Sequence, residues 1–228
     1  MLFAAALPAC VTVPGPQPPP PPRFSIHAVS SASSPSPLVE IQAGRVEAVV
    51  PEAWDARPLP ATRYPQQGFV ASPRILDWEK GVGAVNGMEA FWIDEGNVGI
   101  PSDYYYLVAR VPAFGYITNS EACQQADHHV FVNHPLDPTG DKFSPSDYVA
   151  SATGVCGSQS HPLRWAYVVA APGFGPLRRV GIPSSGLYVV LAVVSGAKSD
   201  ILLDEMINGA RFDNTSVSEL ERAAVRSR

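Results

Sequence analysis

Apolar residues along this chain gather into short unbroken runs separated by breaks rich in Gly and Pro. The longest run, residues 187–194 (LYVVLAVV), follows Gly186 and contains no polar position. A strand with one face in water alternates polar with apolar. An unbroken run is covered on both faces, so this one predicts a central strand. It is too short to cross a bilayer, and its Val and Tyr content favours strand over buried helix. Residues 164–171 (RWAYVVAA) and 104–111 (YYYLVARV) predict two more buried strands. The alternating residues 44–50 predict a first strand that ends at Pro51, where Trp54 can cap one edge of the core. The pentapeptide VGIPS precedes both the 104–111 and the 187–194 runs; a Pro is tolerated where a strand begins.

Between these runs the pattern predicts smaller elements. Residues 68–72 and 75–78 read as short strands, 57–67 as a loop, and 128–134 as a strand. Asn86 is a candidate N-cap for a short helix to about residue 95, with Met88, Phe91 and Trp92 on one face. Ser120 can cap a helix over 121–126 that carries Cys123, and 145–150 can form a helical turn. Ser199 or Asp200 opens an amphipathic helix whose Ile201, Leu202, Met206, Ile207 and Ala210 face the sheet. Ser216 with Glu219 makes a capping box for a last helix to about residue 225. The expected fold is α+β: a mainly antiparallel sheet sandwiched by helices, in a single domain over 39–228 with a disordered N-terminal tail.

Composition adds where the chain resides. Ten of the 24 prolines lie in the first 37 residues, which marks 11–38 as a Pro/Ser-rich tether; VPGPQPPPPP favours extended polyproline II. Residues 1–10 (MLFAAALPAC) have the look of a truncated lipoprotein signal, in which Leu7, Ala9 and Cys10 match a lipobox and Pro8 departs from it. No Lys or Arg precedes the apolar run. Cys10 is the expected lipidation site, the partner being a membrane through that anchor, and the location extracytoplasmic. The net charge of -5 and the lack of a basic stripe give no reason to bind nucleic acid.

Residues 46–54, a strand running into Pro51-Glu52-Ala53-Trp54, with the closing amphipathic segment 201–212, resemble the Mog1/PsbP-like α/β sandwich. That fold occurs in many small exported lipoproteins of high-GC Gram-positive bacteria. The resemblance implies a binding or assembly factor and carries no catalytic residue over. The cysteine pair and the His-rich strand depart from it.

Chemistry-bearing residues are few. In an exported chain Cys123 and Cys156 suit a disulfide, which would close a loop of about 34 residues and add about 3–4 kcal/mol. The competing reading makes Cys156 a nucleophile served by His161. Alternation puts His128 and His134 on one strand face about 20 Å apart, with His129 on the other, so this strand alone supplies no metal site. No Gly-x-Ser-x-Gly elbow, Walker loop, dinucleotide fingerprint or HExxH is present. The expectation is a non-enzymatic envelope binding or assembly module without cofactor or metal. Its ligand would be an envelope protein, lipid or glycan, met by loops carrying Trp54, Tyr64 and Phe174. The alternative is an envelope hydrolase using Cys156 or a His-based site.

Overall fold

The computed structural model describes residues 23–29, 34–60, 66–80, 85–93, 123–132, 148–156, 162–171 and 187–225. In chain order the strands are β1 (Phe24–Val29), β2 (Leu38–Ala43), β3 (Val46–Pro51), β4 (Asp55–Pro58) and β5 (Gln66–Ser72). Helix α1 (Ile75–Lys80) follows, then β6 (Gly87–Ile93), β7 (Cys123–Val132), β8 (Tyr148–Cys156), β9 (Leu163–Ala171) and β10 (Leu187–Ser195). The chain closes with α2 (Ser199–Asn208), β11 (Arg211–Phe212), β12 (Thr215–Ser216) and α3 (Val217–Val225). The described strands form a seven-stranded sheet, ordered β4-β5-β6-β10-β9-β8-β7, and a five-stranded sheet, ordered β1-β2-β3-β11-β12. Adjacent strands in both sheets pair antiparallel. The fold is α+β, a single domain of mainly antiparallel sheet with few helices.

The unbroken run at 187–194 is the middle strand of the larger sheet, and each of its eight residues is at most 2% exposed. Its residues alternate between two cores. Tyr188, Val190, Ala192 and Val194 join β2, β3, Leu203 and Met206 of α2, and Leu220 of α3. Leu187, Val189, Leu191 and Val193 join Trp78, Phe91, Trp165 and Tyr167 on the opposite face. Full burial of each such side chain favours folding by about 1.5–3 kcal/mol over exposure, which is why both faces must be covered. The five-stranded sheet packs over β5 and β6, α2 over β9 and β10, and α3 beside β7 and β8.

The capping box forms as read. The Ser216 amide donates to Glu219 Oε2 at 2.9 Å, and the Glu219 amide donates back to Ser216 Oγ at 3.4 Å. The bonds that the Ser216 amide and the Ser216 hydroxyl (2.8 Å) donate to Glu219 Oε2 hold that carboxyl below its usual value. Helix α2 departs in detail. Its N-cap is Lys198 in the left-handed region (φ 61°) with no side-chain cap, and Leu203 is buried while Ile201 is exposed. The inward stripe runs through Ser199, Leu203 and Met206, at spacings of four and three.

Six further expectations are corrected. Residues 87–93 are strand, not helix: Met88, Ala90 and Trp92 enter one core while Phe91 and Ile93 enter the other. The 88/91/92 spacing mimics a helical face because a strand flanked by β5 and β10 is apolar on both sides. Residues 75–80 are helix, not strand. Ser72 Oγ accepts from the Arg74 amide at 3.0 Å, and Arg74 O accepts from the Trp78 amide at 3.1 Å. That turn swings Trp78 onto the sheet, where its ring occupies the space a side chain on Gly87 would need. Cys123 begins β7 and is not on a helix, and Tyr148 begins β8 where a helical turn was expected. The 57–67 loop instead holds the end of β4 and the start of β5. Within the span expected as tether, β1 pairs with β2 along six residues as the edge of the smaller sheet. The 104–111 run and both VGIPS copies lie outside the described residues.

Candidate functional site

The two faces of the seven-stranded sheet carry different polar groups. On the face away from the smaller sheet, Glu89 of β6 stands between Val70 of β5 and Leu191 of β10. The residue is 8% exposed, and Trp78 Nε1 donates to its Oε2 at 3.3 Å. Burial pushes the Glu89 carboxyl up to about 7; the indole bond works against the rise and the Glu79 charge adds to it. Glu79 is itself paired with Arg57 of β4. Two strands over, Trp165 and Tyr167 stack at 6.2 Å between centroids. Trp165 Nε1 is buried with no hydrogen-bond partner among the described residues. A carboxyl with this value can hold, release or share a proton near neutrality, the behaviour that marks candidate functional positions.

The other face carries a linked polar cluster at one end. Tyr188 donates to Asp213 Oδ2, and Arg45 Nη1 reaches the Tyr188 hydroxyl at 3.3 Å and Asp213 Oδ2 at 3.2 Å. The Arg45 guanidinium lies 4.5 Å from the Trp92 ring centroid, a cation–π geometry. Asp213 and Asn214 both take positive φ in the β11–β12 turn, and Arg45 O accepts from the Asp213 amide at 2.8 Å. Burial raises the Tyr188 hydroxyl above its ordinary value, and its bond to Asp213 adds to that. Partial burial works against the Arg45 charge, yet the bonds to Tyr188 and Asp213 leave it above its usual value. Through these bonds the cluster clamps the turn onto the sheet.

The register pairs Cys123 directly opposite Cys156. A shift between Gln125 and Asp127 then resets β7, so that His128 stands opposite Ala152 and His129 opposite Ser151. Trp54 is half-buried in the turn after β3, its amide donating to Pro51 O at 3.0 Å, and it packs against the core. His27 is exposed on β1, beside Ser25 Oγ at 3.1 Å. Cys10, Tyr64, His134, His161 and Phe174 lie outside the described residues, so of the three expected ligand-contact residues the structure describes Trp54 alone. Among the described residues no three His, Cys, Asp or Glu side chains converge as a metal site would require. No described helix is long and apolar enough to cross a membrane.

Glu89, Arg45, Tyr188 and Asp213 were not singled out from sequence. Glu89 had a signal, being the one charge inside the apolar run 87–93. Arg45 and Asp213 sit in turns far apart in sequence, and only the pairing of β3 with β11 joins them. A scan of protein-family models and a search of curated proteins found no match to this chain.

Proposed function

We propose that the chain is a non-enzymatic cell-envelope lipoprotein, acylated at Cys10, that acts as a binding or assembly module of the Mog1/PsbP-like kind. The observation that carries this reading is the register of Cys123 against Cys156. Directly opposed residues of an antiparallel pair have Cα atoms about 4.5–5.5 Å apart. That separation suits a disulfide without backbone movement. A structural disulfide persists in an oxidising compartment, which supports export and leaves Cys10 as the odd thiol for a lipid. The hydrolase alternative needs a Cys156 thiolate with a base in hydrogen-bond reach. His128 is paired four positions along β8 from Cys156, roughly 13 Å at strand rise. The register therefore favours the bridge over a Cys156–His128 pair. Trp54, Tyr64 and Phe174 remain the proposed contacts for an envelope protein, lipid or glycan.

Peptide mapping of the mature protein without reductant tests the bridge, and fatty-acid labelling of the wild type and Cys10→Ser tests the anchor. The expected result is one linked 123–156 peptide, with label and membrane association lost in the variant. Two freely alkylated thiols, or a wild type that takes up no label, would overturn the reading.

A further inference from the structure

We propose that α1 is a proton-gated cover, seated on the seven-stranded sheet while Glu89 is neutral and lifted from it when Glu89 ionises. The proposal is independent of the envelope reading. Its basis is a seat built for close contact: the Trp78 ring fills the space above Gly87 and its N–H reaches the Glu89 carboxyl. The ring, itself 1% exposed, lies against that carboxyl, and the Glu89 residue keeps 8% of its surface exposed. An ionised carboxylate in an apolar setting must either find more partners or be hydrated. One indole bond of 3.3 Å is the partner this site offers among the described residues.

The two register partners of Glu89 on the sheet give no compensation. Val70 and Leu191, the register partners of Glu89, carry no charge, and Tyr167 is the next group along that row. From α1 the Glu79 carboxylate opposes a second negative charge, and its own partner is Arg57 of β4. Arg74 pairs with Asp77 at 3.4 Å within the same turn. Arg57 and Arg74 are thus engaged elsewhere, and Lys80, the cation of α1 itself, is not among the charges that act on Glu89. Water reaches Glu89 most directly by displacement of Trp78, and with it the six-residue helix that holds it. The carboxyl's own value, raised to about 7 by burial, puts this transition near neutral pH.

Hydrogen exchange of the α1 amides, followed by mass spectrometry from pH 5.5 to 8.5 and corrected for intrinsic rates, tests the cover. The wild type is expected to lose protection over 75–80 about tenfold as pH rises through about 7, while β10 stays protected. Glu89→Gln, which cannot ionise, should hold its protection flat across the range. Constant protection in the wild type, or a parallel loss in Glu89→Gln, would overturn the proposal. Carbon NMR of the Glu89 carboxyl in the wild type gives a second readout that requires no variant. A midpoint near neutrality that also moves the Trp78 indole resonance supports the cover; a midpoint at the ordinary glutamate value overturns it.

Discussion

The same strands, β6, β10 and β9, line both faces of the seven-stranded sheet, yet the faces treat polarity in opposite ways. Against the smaller sheet, β10 offers Tyr188, Val190, Ala192 and Val194, and at the rim Arg45, Tyr188 and Asp213 bond to one another. On the far face, a carboxyl lies deep between valine and leucine with one long hydrogen bond, and an indole N–H has no described partner. Paired polar groups at a rim fix geometry at little cost. A lone carboxyl in an apolar wall costs several kcal/mol when charged and makes the region responsive to solvent. The first face therefore sets the shape, and the second is where conditions can change it.

The contrast can be broken most severely on the first face. Phe212 is fully buried, 5.1 Å from the Tyr188 ring, and joins the small sheet to the large one. Phe212→Ala should cost about 3–5 kcal/mol, read as a lower urea midpoint at unchanged slope. If the cost is under about 1 kcal/mol, the two sheets do not depend on that contact.

On the second face the test is pH. The folded Glu89 carboxyl lies near 7 and the ordinary value is 4.5, so its unfolded form ionises first as pH rises. The carboxyl's stabilising share is full below 4.5 and is lost as pH rises through 7, by about 3 kcal/mol. Urea titrations at pH 4.5 and 8 should show the loss in the wild type and not in Glu89→Gln. The smallest effect belongs to the rim. Tyr188→Phe removes one donor to a carboxylate and should cost about 1.5 kcal/mol with no new pH dependence between 5 and 8. A pH dependence appearing there would erase the distinction between the faces.

How much of this was legible follows from how far each signal extends in sequence. The β10 strand could be read because eight apolar residues in a row, four of them Val, suit a strand covered on both faces, and the capping box because both partners lie within four residues. Strand β6 was misread because Met88, Phe91 and Trp92 satisfy a helical spacing by coincidence, and only pairing on both sides decides between the two periods. Helix α1 was misread because six residues hold less than two turns of pattern. Strand β1 was hidden by the Pro- and Ser-rich stretches around it, and it exists through its pairing with β2. At the candidate site, the Glu89 charge was visible but its burial was not. Its depth comes from Trp78, and α1 was first read as strand.

The strand order also has a consequence for synthesis. Residues up to Ile93 complete a β4-β5-β6 meander, whereas the strand that seals its open edge begins at Leu187. A chain emerging from the ribosome thus holds β6 unpaired on one side while about ninety more residues are made. Such contacts between distant segments slow folding and leave a sticky border exposed. The joint between β6 and β10 closes late in synthesis, before only the pairings of β11 with β3 and β12, and its open edge is a place where two nascent chains could exchange halves.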